Sequence, residues 1–360
     1  MQPDDCERAV LFSILILVLA LALIVASSEF FTNGIEWLGQ RLKLGEGVIG
    51  SVFAAVGTAL PETLIPFVAI LFFGHRHGAE VGIGAIAGAP FMLSTLTLAI
   101  CGTSILIYAR AGKRSAEFNL NSELIAHDLY YFLIAYSLAM CASLVSDFGP
   151  LRCVIAGALL FMYPIYVYAT VKQEQQVGAR PEQLHFDRIL NFGKPEHLAL
   201  IIPQVVAGVA GILIGAWLFV DHVESVARAA GLQPLILSLV VSPIATELPE
   251  KINSVLWARN GKDTLALANI SGAMVFQSCI PVAFGVAFTT WKLGYSTILT
   301  GVVALIAALT YKLLLDRKML KPKHLMYGGV AYVLVIAIVL GCDIIDTTPI
   351  SPTSATGSWH

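Results

Sequence analysis

The chain has 360 residues, of which 57% are hydrophobic and only 13% charged, and its mean hydropathy is +0.79. A soluble domain carries about 25% charged residues, so a water-soluble globule is excluded and most of the chain belongs in lipid. The formal net charge of −2 comes without any basic tract of the kind that binds nucleic acid.

A membrane-crossing helix needs about 20 mainly apolar residues. Read at that length, the sequence predicts ten spans, at 9–28, 48–73, 79–109, 124–146, 151–171, 198–220, 232–257, 263–290, 295–315 and 324–342. Asp4, Asp5 and Glu7 precede the first span where a cleaved signal peptide would be basic. The second span carries Gly57-Thr58-Ala59-Leu60-Pro61-Glu62-Thr63 and ends at a short polar turn, His75-Arg76-His77. The third contains Pro90, a site for a kink or a break. His127 and Asp128 open the fourth span and are expected at the interface, and Tyr163, Tyr166 and Tyr168 of the fifth read as interface anchors. Polar residues from Lys172 to Pro195 then form the one long linker. After the sixth span, Asp221, His222 and Glu224 are expected in an external loop, where they either attract cations or are simply solvated. The seventh span carries Ala245-Thr246-Glu247-Leu248-Pro249-Glu250-Lys251, and the eighth carries Asn269 to Gln277 and then Pro281. The six cysteines are scattered, with no CxxC pair, and read as packing residues. The expected organisation is a first repeat at 1–171, a linker at 172–197, a second repeat at 198–342 and a disordered polar tail at 343–360.

Charge tests the count. If alternate loops share a side, one side holds 17 Lys and Arg residues, with Lys251 counted in the loop it leads into, and the other holds only Arg8, Arg76, Arg152, Arg228 and Lys292. The positive-inside rule places both termini outside and the linker in the cytoplasm of a cell-membrane protein. Five spans per half is odd, so the second half runs inverted. The halves also match in sequence. Leu60-Pro61-Glu62 aligns with Leu248-Pro249-Glu250, which sets Thr58 opposite Thr246; further on, Ala85-Ile86-Ala87-Gly88-Ala89 faces Asn269-Ile270-Ser271-Gly272-Ala273.

A carboxylate in a spanning helix is costly unless it faces a polar interior, which makes Glu62, Glu247 and Glu250 functional candidates. Pro61 and Pro249 each remove a backbone donor and displace a carbonyl one turn earlier, so both helices are expected to break there. Freed carbonyls, Thr58 and Thr246 hydroxyls and Glu oxygens would form a hard oxygen shell suited to Ca²⁺, which takes 6–8 oxygen ligands. Two broken helices related by an in-plane two-fold are an alternating-access arrangement.

GTALPE, ATELPE and NISGAMVFQ resemble the two alpha repeats of the cation/Ca²⁺ exchanger superfamily, whose pattern runs G-T-S-x-P-E and then N-x-x-G-S-N-x-F-N. The resemblance covers about 45 residues in each half. It implies an all-α polytopic protein of two inverted five-helix repeats, with Glu62 and Glu250 as central cation carboxylates and Thr58 and Thr246 contributing oxygens. This chain departs from the pattern in several places. Ala59 and Glu247 stand where the family has Ser, and Leu93 ends the tract in the first repeat. Gln277 and Asn269 are the polar survivors in the second. Glu247 lies four residues before Lys251, a favourable spacing for a helical ion pair. Lys251 is therefore expected to compensate charge as a tethered monovalent cation standing in for bound Na⁺, unless it snorkels toward the cytoplasm.

The expected function is a secondary antiporter, not an enzyme, moving Ca²⁺ against H⁺ or Na⁺ without a cofactor. Loss of the Ser and Asn oxygens favours protons as the counter-ion. A cation channel, or a degenerate exchanger-like protein for another cation, are the alternatives. The expected partners are the transported cations and the bilayer, around a monomer.

Overall fold

The computed structural model describes residues 3–41, 55–73, 78–115, 117–173, 184–185, 187 and 198–347. The described residues are mainly helical, joined by short turns, and contain no strand. In chain order the helices are α1 (Pro3–Arg41), α2 (Ala55–Phe73), α3 (Ala79–Met92), α4 (Leu98–Arg110), α5 (Ser122–Ala142), α6 (Gly149–Gln173), α7 (Leu198–Ala229), α8 (Pro234–Thr246), α9 (Leu248–Arg259), α10 (Asp263–Phe288), α11 (Tyr295–Asp316) and α12 (Pro322–Thr347). Eight segments are long and apolar enough to cross a membrane, with α3 and α4 counted as one. The two remaining expected spans, 48–73 and 232–257, correspond to shorter apolar helices, Glu62–Phe73 and Pro234–Ile244. Both carry the TxLPE motif, whose polar residues interrupt the apolar run.

Two segments form the centre. The apolar window of α10 is 78% buried and that of α3–α4 is 61%, against 28–39% for the other six. α10 packs against α2, α3, α5, α6 and α9, while α1 pairs with α7 at one side. α3 lies backbone to backbone on α8 because it is small where they cross. A Cβ at Gly84 or Gly88 would collide with the carbonyls of Leu235 or Leu239. Pro90 does not end this helix. A π-helical segment, Leu93–Thr97, follows it directly, and α4 continues from there. Proline removes a donor from the ladder, and a π turn is one way a helix absorbs that loss.

Asn121 caps α5 by accepting a hydrogen bond from the Leu124 N–H (3.2 Å). Just before it, the α4–α5 connection is anchored to the start of α10. Arg114 grips Asp263 with both guanidinium nitrogens, Nη1 to Oδ1 at 2.5 Å and Nη2 to Oδ2 at 2.7 Å. It also donates to the Ala258 and Glu117 carbonyls, and the Asn119 N–H donates to Asp263 Oδ2 (3.0 Å). The Asp263 carboxylate holds the guanidinium above its ordinary range. The two side chains are 3% and 0% exposed. Removing one partner of a buried pair strands the other, at about 3–5 kcal/mol. Arg114→Ala and Asp263→Ala should each lower the thermal midpoint in detergent by that equivalent, and the double variant should lose less than their sum. Additive losses would show that the pair does not couple these segments.

Of the expected linker, Leu184 is fully buried with Leu200 and Ile201, beside Trp37 and Val205. The His185 N–H donates to Asn33 Oδ1 (3.1 Å). That part of the linker is packed against α1 and α7.

Candidate cation site

Helix α8 stops at Thr246 and α9 starts at Leu248, with Glu247 alone between them at φ −83° and ψ 8°. Pro249 lies in the first turn of α9, where its missing N–H costs least. The interruption is narrow. The Glu247 N–H still donates to the Pro243 carbonyl (3.2 Å), and the Lys251 N–H to the Glu247 carbonyl (3.1 Å). The first repeat differs from expectation, because α2 runs unbroken from Ala55 to Phe73 with Pro61 inside it. One missing ladder bond does not by itself end a helix when the turns on either side keep theirs.

The interruption faces the π segment. Glu247 is 1% exposed and Lys251 7%. Lys251 Nζ lies 3.2 Å from Glu247 Oε2 and donates to the Pro243 carbonyl (3.2 Å) and to Met92 Sδ (3.1 Å). Thr97 Oγ1 donates to the same carboxylate oxygen at 3.1 Å. Lys251 therefore turns inward and does not snorkel to the surface. Its ammonium meets a carboxylate, a carbonyl and a thioether. Sequence reasoning missed Met92 and Thr97. Only their nearness to Pro90 singles them out, and the facing across to α9 is a tertiary fact.

Glu62 is 3% exposed on α2, which packs on α3 and α10. Thr246 is buried, with its hydroxyl donating to the Ser242 carbonyl (2.9 Å), so its oxygen keeps a lone pair. Gln277, on α10, is 1% exposed, and its Oε1 has no hydrogen-bond partner among the described residues. Asn269 is turned toward α9, where Nδ2 donates to Ser254 Oγ at 3.4 Å. The side chains of Thr58, Pro61, Pro249 and Glu250 lie outside the described residues; on the backbone, Thr58 and Pro61 stand on α2 and Pro249 and Glu250 on α9. Among the described residues, no three His, Cys, Asp or Glu side chains form a metal-holding group. A cation held here would therefore rely on carbonyl, hydroxyl and amide oxygens beside the carboxylates.

Asp128, expected near the membrane interface, has its side chain buried in protein. It is 2% exposed and accepts from Tyr166 Oη (3.0 Å) and from Ser271 Oγ (2.6 Å). Tyr166 is likewise buried, unlike Tyr168, which is 71% exposed. Composition alone does not separate the two tyrosines, because only the packing of α6 on α5 and α10 decides which one turns inward.

The profile of the sodium/calcium exchanger protein family matches residues 12–172 and 200–353. An uncharacterized membrane protein of Methanocaldococcus jannaschii is similar, 22% identical over 75% of this chain and 80% of its own length. Among solved structures, the H⁺/Ca²⁺ exchanger CAX superposes with a TM-score of 0.64 at 16% identity, covering 93% of this chain and 90% of that one. The sodium-calcium exchanger NCX_Mj superposes with a TM-score of 0.58 at 21% identity, covering 91% and 99%. At these identities the likeness is one of fold.

Proposed function

Because the chain belongs to the sodium/calcium exchanger protein family, we propose that it is a secondary cation antiporter that carries Ca²⁺ in exchange for H⁺ or Na⁺. The observation that carries this reading is the burial of Glu62 in an apolar helix together with the buried Glu247–Lys251 pair at the α8–α9 interruption. Intramembrane carboxylates are kept where ions pass. In this reading Glu62 and Glu250 bind the transported cation, and Thr58, Thr246, Asn269 and Gln277 supply neutral oxygens. Glu247 and Lys251 cancel each other's charge, which leaves −2 for one divalent ion. Lys251 then occupies the place a bound Na⁺ would take.

The reading includes ten crossings, counting α2 and the α8–α9 pair, in two inverted halves at 1–171 and 198–342. Both termini lie outside, and the linker at 172–197 lies inside. The 17-to-5 split of basic residues supports that orientation. Protons are the favoured counter-ion, since Ala59, Ala89 and Leu93 replace the oxygens that a Na⁺ shell would use.

The test is ⁴⁵Ca²⁺ uptake into proteoliposomes under an imposed proton gradient or Na⁺ gradient. Uptake driven by the proton gradient is expected. Uptake with no dependence on a counter-ion would replace the antiporter with a channel. No uptake under either gradient would favour a degenerate relative or another cation.

A further inference from the structure

One buried acidic group stands apart from the cation site. Asp128 sits on α5 about 9 Å along the helix axis from Ser122. It is wrapped by α6 and α10, and both of its oxygens are engaged. Oδ1 accepts from Tyr166 Oη at 3.0 Å, and Oδ2 accepts from Ser271 Oγ at 2.6 Å. His127 Nδ1 stands 3.8 Å from Oδ1 with no hydrogen-bond partner among the described residues, on a side chain that is 17% exposed. The imidazole stacks on Tyr166 (5.9 Å between ring centroids, 23° between planes) and meets Tyr131 at a tilt (4.9 Å, 56°).

The remaining neighbours are accounted for. α6 also presents Tyr163, which is turned edge-on to Phe276. α10 presents Ser271 here; its only acidic residue among those described, Asp263, is held by Arg114. α11 contributes Tyr311, whose hydroxyl donates to the Leu325 carbonyl (3.4 Å), while Lys312 and Asp316 pair with each other at 2.6 Å. No lysine or arginine neutralises Asp128 among the described residues. Among the described residues, His127 is the only base beside it, and its side chain is 17% exposed.

We propose that Asp128 is a proton-binding site, loaded past His127 and read by α10 through Ser271. With Asp128 ionised, Ser271 donates to it. A proton arriving from water on Oδ2 makes that oxygen a donor, so the bond reverses: Asp128 donates to Ser271 Oγ, and the serine proton turns to the Ala268 carbonyl one turn back, now 3.5 Å away. Nothing else is made or broken. The reversal strengthens a back-bond inside α10 from Ser271 to Ala268, the turn that holds Asn269, and such back-bonds often bend helices. Proton binding rests on this geometry alone; its coupling to cation movement rests on the antiporter reading.

The test is infrared difference spectroscopy on the reconstituted full chain, acid minus alkaline. A protonated-carboxyl C=O band is expected that is lost in Asp128→Asn, an isosteric change that keeps partners for Tyr166 and Ser271. The band should persist in Glu62→Gln and shift in both Ser271→Ala and Tyr166→Phe. Should the Asn variant not yield monodisperse protein, the latter two decide. A band unchanged in Asp128→Asn, or unmoved in both hydroxyl variants, would overturn the proposal. In proteoliposomes, Asp128→Asn should flatten the pH dependence of ⁴⁵Ca²⁺ uptake while uptake itself persists, and an unaltered profile would remove the coupling. If the unmodified protein shows no uptake, the antiporter reading fails and the infrared result still decides Asp128.

Discussion

Glu62→Gln should abolish ⁴⁵Ca²⁺ uptake in proteoliposomes while leaving the protein folded. The side chain is 3% exposed on α2, the helix that packs on both α3 and the central α10. Glutamine keeps the size of glutamate, removes the charge and exchanges one acceptor oxygen for an NH2 donor, so the packing survives. A net contact to a charged group is worth about 1.5–3 kcal/mol, equivalent to roughly 10- to 150-fold in affinity. For a divalent ion held by two carboxylates this range is a floor. Glu250→Gln should behave alike, and the two losses should not add, since either leaves the cation with half its neutralising charge. Uptake within about twofold of the unmodified protein in Glu62→Gln would take Glu62 out of the ion path.

Replacing Lys251 should create a response to Na⁺ that the natural protein lacks. Its ammonium lies 3.2 Å from Glu247 Oε2 and 3.2 Å from the Pro243 carbonyl, with Thr97 donating to the same carboxylate oxygen. Lys251→Ala removes the charge and the stem, leaving Glu247 buried and anionic at about 3–5 kcal/mol of stability. A small monovalent cation entering the vacated space would recover much of that loss. At a hundredfold excess over its Kd, a ligand stabilises by about 2.7 kcal/mol. The thermal midpoint of Lys251→Ala should therefore climb with added Na⁺ but not with a bulky organic cation, while the unmodified protein stays flat. Ca²⁺ uptake by the variant should likewise become sensitive to Na⁺. If Na⁺ response and Ca²⁺ affinity both matched the unmodified protein, Lys251 would be a structural residue and not a tethered ion. Lys251→Met separates the roles further, because it fills the stem's volume without charge and should show a weaker Na⁺ response than alanine.

Much of this was legible before any coordinates. The apolar runs placed every described long helix within a few residues at most ends, because a segment in lipid must satisfy its own backbone and does so as a helix. α1 and α7 are the exceptions: α1 continues to Arg41, and α7 to Ala229, which puts Asp221, His222 and Glu224 on the helix and not in a loop. The repeated TxLPE marked α2 and the α8–α9 junction, and the four-residue spacing of Glu247 and Lys251 anticipated their pairing, since helical geometry makes such residues neighbours. The same local rules misjudged Pro61, and at Pro90 they left a kink and a break equally open. A proline withdraws one donor, but whether the helix breaks, bulges or carries on depends on what packs against it. α2 carries on through Pro61, whereas Pro90 is followed by the π segment.

What the sequence determined by itself was the membrane class, the helical segments, the two related motifs and the acidic residues that need a polar interior. These follow from hydropathy and from spacing along one helix. Only the tertiary structure decided that Met92 and Thr97 meet the Glu247–Lys251 pair, and that Asp128 is buried against Tyr166 and Ser271. Those contacts join residues 38 to 159 positions apart. They are set by which face each helix turns to its neighbours, and in a chain apolar nearly all round, that face is not written in the hydrophobic pattern.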